Sequence, residues 1–180
     1  MAHIFLSQLK TVLNNCIDEL EQIHFLFSRN PETDFTRKRK LTFKEYIQFM
    51  LLMQGKTVSN EILDFFSHFL SAPSKSAFTQ QRYKLLPEGW DFLFHSFVTQ
   101  CRSLSDDLYC GYRLLACDGS DVNIARNPSD ERTFIHEGEK GYNAVHINAL
   151  YDIMNKTYCD FHVQGKEKPV SYTHLRAHET

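Results

Sequence analysis

No apolar run in this 180-residue chain approaches the roughly 20 residues needed to cross a bilayer, so no membrane is expected among its partners. The start, Met1-Ala2-His3-Ile4-Phe5, lacks a basic segment followed by an apolar one, and no signal peptide is read there. The 5 cysteines are an odd number and form no C-x-x-C pair, which argues against a disulfide frame or a zinc site and for reduced cytoplasmic thiols. P-loop, G-x-G-x-x-G, G-x-S-x-G and H-E-x-x-H patterns are all missing, as are internal repeats and low-complexity tracts. A global basic excess is missing too, since the formal net charge is −2. What remains is an ordinary globular composition, 42% hydrophobic and 23% charged, with 15 Phe and 8 Tyr to build a core.

The charge is unevenly distributed. Arg37-Lys38-Arg39-Lys40 is a compact basic run followed by Lys44, while acids gather at Asp106-Asp107 and Asp130-Glu131. Clustered positive charge on a near-neutral chain fits one DNA-facing surface, and it equally fits a solvated basic loop.

Periodicity divides the chain in two. Leu9, Val12, Leu13, Cys16, Ile17, Leu20, Ile23 and Phe27 recur at the 3.6-residue spacing of an amphipathic helix that Asn30-Pro31 closes. Thr42 and Glu45 form a capping-box pattern before a second helix, with Gly55 as its expected C-cap. A third helix is expected over 60–70, with Ile62, Leu63, Phe65, Phe66 and Phe69 inward. A fourth is expected over 75–85, capped by Ser74, and a fifth opens at Pro87-Glu88. Beyond residue 105 the period changes to two. Tyr112–Cys117, Val145–Tyr151 and Thr157–Gln164 read as strands, with a turn over 152–156. The expected class is α+β: a helical region over 1–105, then a sheet region over 111–169.

Two constellations can carry chemistry. Residues 59–85 can be read as helix, short turn, helix, whose second helix presents Lys75, Ser76, Thr79, Gln80, Gln81, Arg82 and Lys84. Short polar and basic side chains there suit phosphate and base-edge contact in a major groove, or simply a solvated helix face. In Leu114-Leu115-Ala116-Cys117-Asp118-Gly119-Ser120-Asp121, an apolar run ends in two carboxylates and a hydroxyl. A buried strand that delivers Asp118 to a sheet edge could hold a hard cation such as Mg²⁺, with Asp121 in support, and the bland alternative is an Asp-Gly turn. A His146–His162 metal pair across strands is a further option, against ordinary polar positions on a sheet face.

Three stretches together resemble the front part of bacterial insertion-sequence transposases of the DDE type, the IS-four family. They are Asp34-Phe35-Thr36-Arg37-Lys38-Arg39-Lys40-Leu41-Thr42-Phe43-Lys44, Pro73-Ser74-Lys75-Ser76-Ala77-Phe78-Thr79-Gln80-Gln81-Arg82, and Leu114–Asp121 with Gly141–Asp152 behind it. The resemblance implies a helical DNA-binding region and the start of an RNase H-like catalytic domain. It makes Asp118 the first acid of a two-Mg²⁺ site that cuts element ends and joins them to target DNA, in a bacterial cytoplasm at the nucleoid, with self-association possible in principle. The family's second acid and later glutamate find no counterpart, so the expected polypeptide is a truncated transposase that binds DNA without cleaving it. The alternatives are a DNA-binding regulatory module and a metal-dependent nuclease. The last stretch, 170–180, resembles translated sequencing-adapter DNA and is set aside as a non-native tail.

Overall fold

The computed structural model describes residues 2–37, 40–67, 72–105 and 107–165. The chain is mixed α+β and divides into two compact units, 1–104 and 105–180. The reading of 170–180 as a foreign tail lies outside the described residues.

The first unit holds α1 (Ala2–Gln22), a 3-10 turn (His24–Phe27), α2 (Phe43–Leu52), α3 (Val58–Phe66), α4 (Lys75–Arg82) and α5 (Pro87–Arg102). Local chemistry sets most of these boundaries. Thr42 Oγ1 accepts the Glu45 N–H while the Glu45 carboxylate accepts the Thr42 N–H, which is the capping box read from sequence. Ser74 accepts the Ala77 N–H at the start of α4, and Pro87 opens α5 where its missing N–H costs nothing. Gly55 is not the cap of α2. The helix ends at Leu52 with Met53 as its C-cap, and Gly55 lies beyond it at φ 83°.

Aromatic rings dominate the core. Phe49 meets Phe78 edge to face at 4.8 Å, Phe35 meets Phe43 at 4.9 Å, and Tyr46 contacts Trp90 at 6.1 Å. Cys16, Ile17, Leu20, Ile47, Ile62 and Leu93 fill between them. Such rings bury large areas and add directional edge-to-face attraction, each pair contributing on the order of 1 kcal/mol beyond area. The stripe of α3 is narrower than its apolar sequence: Ile62 is buried, Phe65 and Phe66 half-buried, Leu63 exposed, and Phe69 outside the described residues.

The expected short turn between α3 and α4 falls largely on residues 68–71, which lie outside the described residues. Ser67 leaves α3 in the left-handed region at φ 50°, its N–H bonded to Leu63 O, and α4 begins only at Lys75.

The second unit is an antiparallel sheet of β1 (Leu115–Ile124), β2 (Phe134–Ile135), β3 (Tyr142–Asp152) and β4 (Thr157–Gln164). β3 is central: β1 pairs along one side, from Leu115↔Asp152 to Ile124↔Asn143, and β4 and β2 pair along the other. β1 is longer and later than the expected 112–117 strand. Asp118-Gly119-Ser120-Asp121 does not turn, because β3 offers a register partner at every position through Ile124. The strand is not buried either; all ten of its residues are exposed. The whole unit buries only Phe134, Ala144 and Cys159 among its described apolar side chains, against thirteen in the helical unit.

The β3–β4 turn is held by a buried carboxylate. Asp152 accepts N–H groups from Met154 at 3.1 Å and Asn155 at 3.0 Å, plus the Asn155 side-chain amide at 3.0 Å, with Arg113 at 3.7 Å. Burial alone would raise its pKa, but the donated Asn155 bonds and the Arg113 charge outweigh burial and hold it below the usual value. A folded pKa below the unfolded one means stability that is present above the unfolded pKa and lost as pH falls through the folded one. Asp152→Ala should therefore lower stability at pH 7 by roughly 1–3 kcal/mol and flatten the acid limb of a urea-denaturation series. An unchanged acid limb would show that the carboxylate does not hold the turn.

Candidate functional site

Two-residue periodicity decides what β1 can do. Side chains alternate between faces, so Ala116, Asp118, Ser120, Val122 and Ile124 share one face while Cys117, Gly119 and Asp121 share the other. Asp118 is the fourth residue of the strand, not its end. Its register partners are Ala149 and, across β3, Phe161; Ser120 pairs with Ile147 and then Val163. Asp118 therefore stands on a largely apolar face, with Val122, Ile124, Tyr158, Phe161 and Val163 exposed around it. One oxygen, Oδ1, accepts the N–H of Gly119 at 2.8 Å.

Asp121 lies on the opposite face and cannot support Asp118. It faces its register partner His146 instead, Oδ1 to Nδ1 at 2.7 Å, and the other ring nitrogen lies 3.1 Å from Asn148 Oδ1. Gly119 makes room for this ring: a Cβ there would meet His146 Nε2 at 2.7 Å and Asn148 Oδ1 at 3.0 Å. The Asp121 hydrogen bond raises the His146 pKa, with Asn148 adding to it. His162 shares this face but stands opposite Asn148, diagonal to His146. Among the described residues, no three His, Cys, Asp or Glu side chains gather into a group that could hold a metal ion. A two-Mg²⁺ site needs several carboxylates around ions about 4 Å apart. The described residues supply one, Asp118, and do not make such a site.

In the helical unit, Lys75, Ser76, Gln80 and Arg82 are exposed on α4, and Arg37 and Lys40 are exposed in the basic run. Lys38 and Arg39 lie outside the described residues. Three expected contacts are otherwise engaged. Lys44 pairs with Asp18 of α1. Thr79 donates to Lys75 O at 2.9 Å. Lys84 lies 3.6 Å from the buried Asp34 carboxylate and 5.6 Å from the Phe35 ring centre, so it braces the 30–35 segment. Sequence spacing could not reveal the two lysine pairings, because each joins residues distant in the chain, whereas the Thr79 bond is the local i to i−4 contact of a helical threonine. Arg37 and the C-terminal end of α4 come together at a cleft of about 190 Å³ that also takes in His24, Phe35, Gln81 and Lys84. Gln81, expected among the residues that α4 presents outward, is instead buried, because it lies on the same side of the helix as the core residue Phe78.

No protein-family model, no curated protein and no solved structure matches this chain.

The His146 geometry has a direct readout. Its folded pKa is raised, so the stability it lends is present below the ordinary histidine value and fades as pH rises through the folded one. In Asp121→Asn, an NMR titration should return the His146 pKa toward the ordinary value and remove that component. An unshifted titration would break the pairing.

Proposed function

We propose that this chain is part of a DDE-type DNA transposase. Its helical unit binds DNA, and its sheet is the opening of an RNase H-like domain whose remaining elements are not among the described residues. The observation that carries the reading is the state of the sheet. Asp118 sits on an apolar face left exposed, on a strand that pairs on one side only among the described residues. An independently stable sheet covers such a face and blunts such an edge, so this one fits a domain with further strands and helices to add. The cations exposed on α4 and at Arg37 support DNA contact through phosphates.

Catalysis by these residues alone is not proposed, since among the described residues Asp118 has no second carboxylate on its face to share a metal ion with. That same solitude favours the second reading, a DNA-binding module in which the sheet is scaffold.

Equilibrium binding to duplexes taken from the inverted repeats that flank the source gene should weaken linearly in log–log form as salt rises. Arg37→Ala, Lys75→Ala and Arg82→Ala should each reduce that slope by about one unit, while Asp118→Asn leaves affinity unchanged. No strand joining is expected with Mg²⁺. Slopes untouched by all three cation variants would overturn the DNA surface, joining by the purified chain would overturn the incomplete site, and binding without preference for the repeats would favour the scaffold reading.

A further inference from the structure

The cleft at the end of α4 has a feature the DNA surface does not use. Gln81 is 4% exposed, lines the cleft, and its Oε1 is buried with no hydrogen-bond partner. A buried acceptor left unmade costs roughly 1–3 kcal/mol, so such a group calls for an occupant. The group that would answer Oε1 is a hydrogen-bond donor.

The walls narrow the chemistry further. His24 and Phe35, whose rings meet edge to face at 6.0 Å, bring aromatic surface, and Arg37 and Lys84 bring positive charge. Glu21 adds one carboxylate, a second acceptor for an amine but not for an anion. The volume, about 190 Å³, is below the roughly 300–1,000 Å³ of sites for drug-sized ligands and holds about six waters' worth of liquid at ~30 Å³ each. That suits a single planar ring system and excludes a peptide segment or a groove of duplex. A glutamine amide pairs in two-pronged fashion with the N6 amine and N7 of adenine.

We infer that this cleft binds one unpaired adenine nucleotide, with the base edge on the Gln81 amide and the phosphate toward Arg37. The chemistry is the same whether the nucleotide is free or protrudes from a DNA end; only the second source rests on the DNA-binding reading above.

Calorimetry on the full chain tests it with dAMP and with deoxyribose 5-phosphate as probes. The expected result is that dAMP binds at least about tenfold more tightly than the sugar phosphate. Gln81→Leu should erase that preference, and Arg37→Ala should weaken both ligands. Removing an unpaired acceptor should leave Gln81→Leu at least as stable as the parent, so a lost preference would not be a folding defect. If that variant nevertheless fails to fold, the Gln81 side-chain amide signal of the parent chain must shift on dAMP addition in an NMR titration. Equal binding of the two probes, an unchanged preference in Gln81→Leu, or a motionless Gln81 amide signal would overturn the site and leave a cleft that holds only water. A duplex with a single 3′ adenine overhang that binds more tightly than its blunt form assigns the nucleotide to DNA. Equal binding of the two duplexes, with dAMP still preferred, assigns it to the free pool. Blunt-duplex affinity with its salt slope reports the DNA surface separately, so either reading can fail without the other.

Discussion

The register of β1 against β3 is the constraint on which the second unit depends. Ten consecutive residues, Leu115 to Ile124, each find a partner on β3, and side chains alternate along them. That alternation separates two carboxylates that lie three positions apart. Asp118 goes to the apolar face, and Asp121 goes to the polar face beside His146, Asn148 and the side-chain-free surface of Gly119. A slip of one residue would exchange the two faces and drive His146 against a Ser120 side chain. The polar face is thus knitted by hydrogen bonds, whereas the apolar face has little of its own to pack against.

The helical unit rests on a different principle. Its core is built from rings in contact around Phe49, Phe78 and Tyr46, with short helices fixed at their starts by Thr42, Ser74 and Pro87. Burying Phe78 and Gln81 on one side of α4 turns Lys75, Ser76, Gln80 and Arg82 outward. Packing therefore determines which cations are available to a polyanion. The cations that brace the fold, Lys44 on Asp18 and Lys84 on Asp34, belong to the same basic stretches but are already paired.

Much of this was legible in the sequence, and the reasons divide by range. Helix periods and caps are local, so the five helices, the Thr42–Glu45 box, the Ser74 cap and the Pro87 start could be read from neighbours a few residues apart. The β3–β4 hairpin was equally local. The extent of β1 was not, because Asp118-Gly119 has turn chemistry and stays extended only through its partner strand. The apolar run before Asp118 read as buried, yet burial depends on what packs over a strand, which its own residues do not encode. The pairing of Asp121 with His146, twenty-five positions apart, and the unpartnered Oε1 of Gln81 likewise exist only in three dimensions.

The central claim is that Asp118 rides on a strand that pairs on one side only among the described residues. Residue-resolved amide hydrogen exchange tests it most directly. In an edge strand of an antiparallel ladder, every second N–H points at the neighbour and the rest point away. The account predicts alternating protection along Leu115–Ile124, with continuous protection where β3 is flanked on both sides, from His146 to Asp152. Uniform strong protection along β1 would mean that its outer edge is already paired, and would contradict the account of an unfinished sheet.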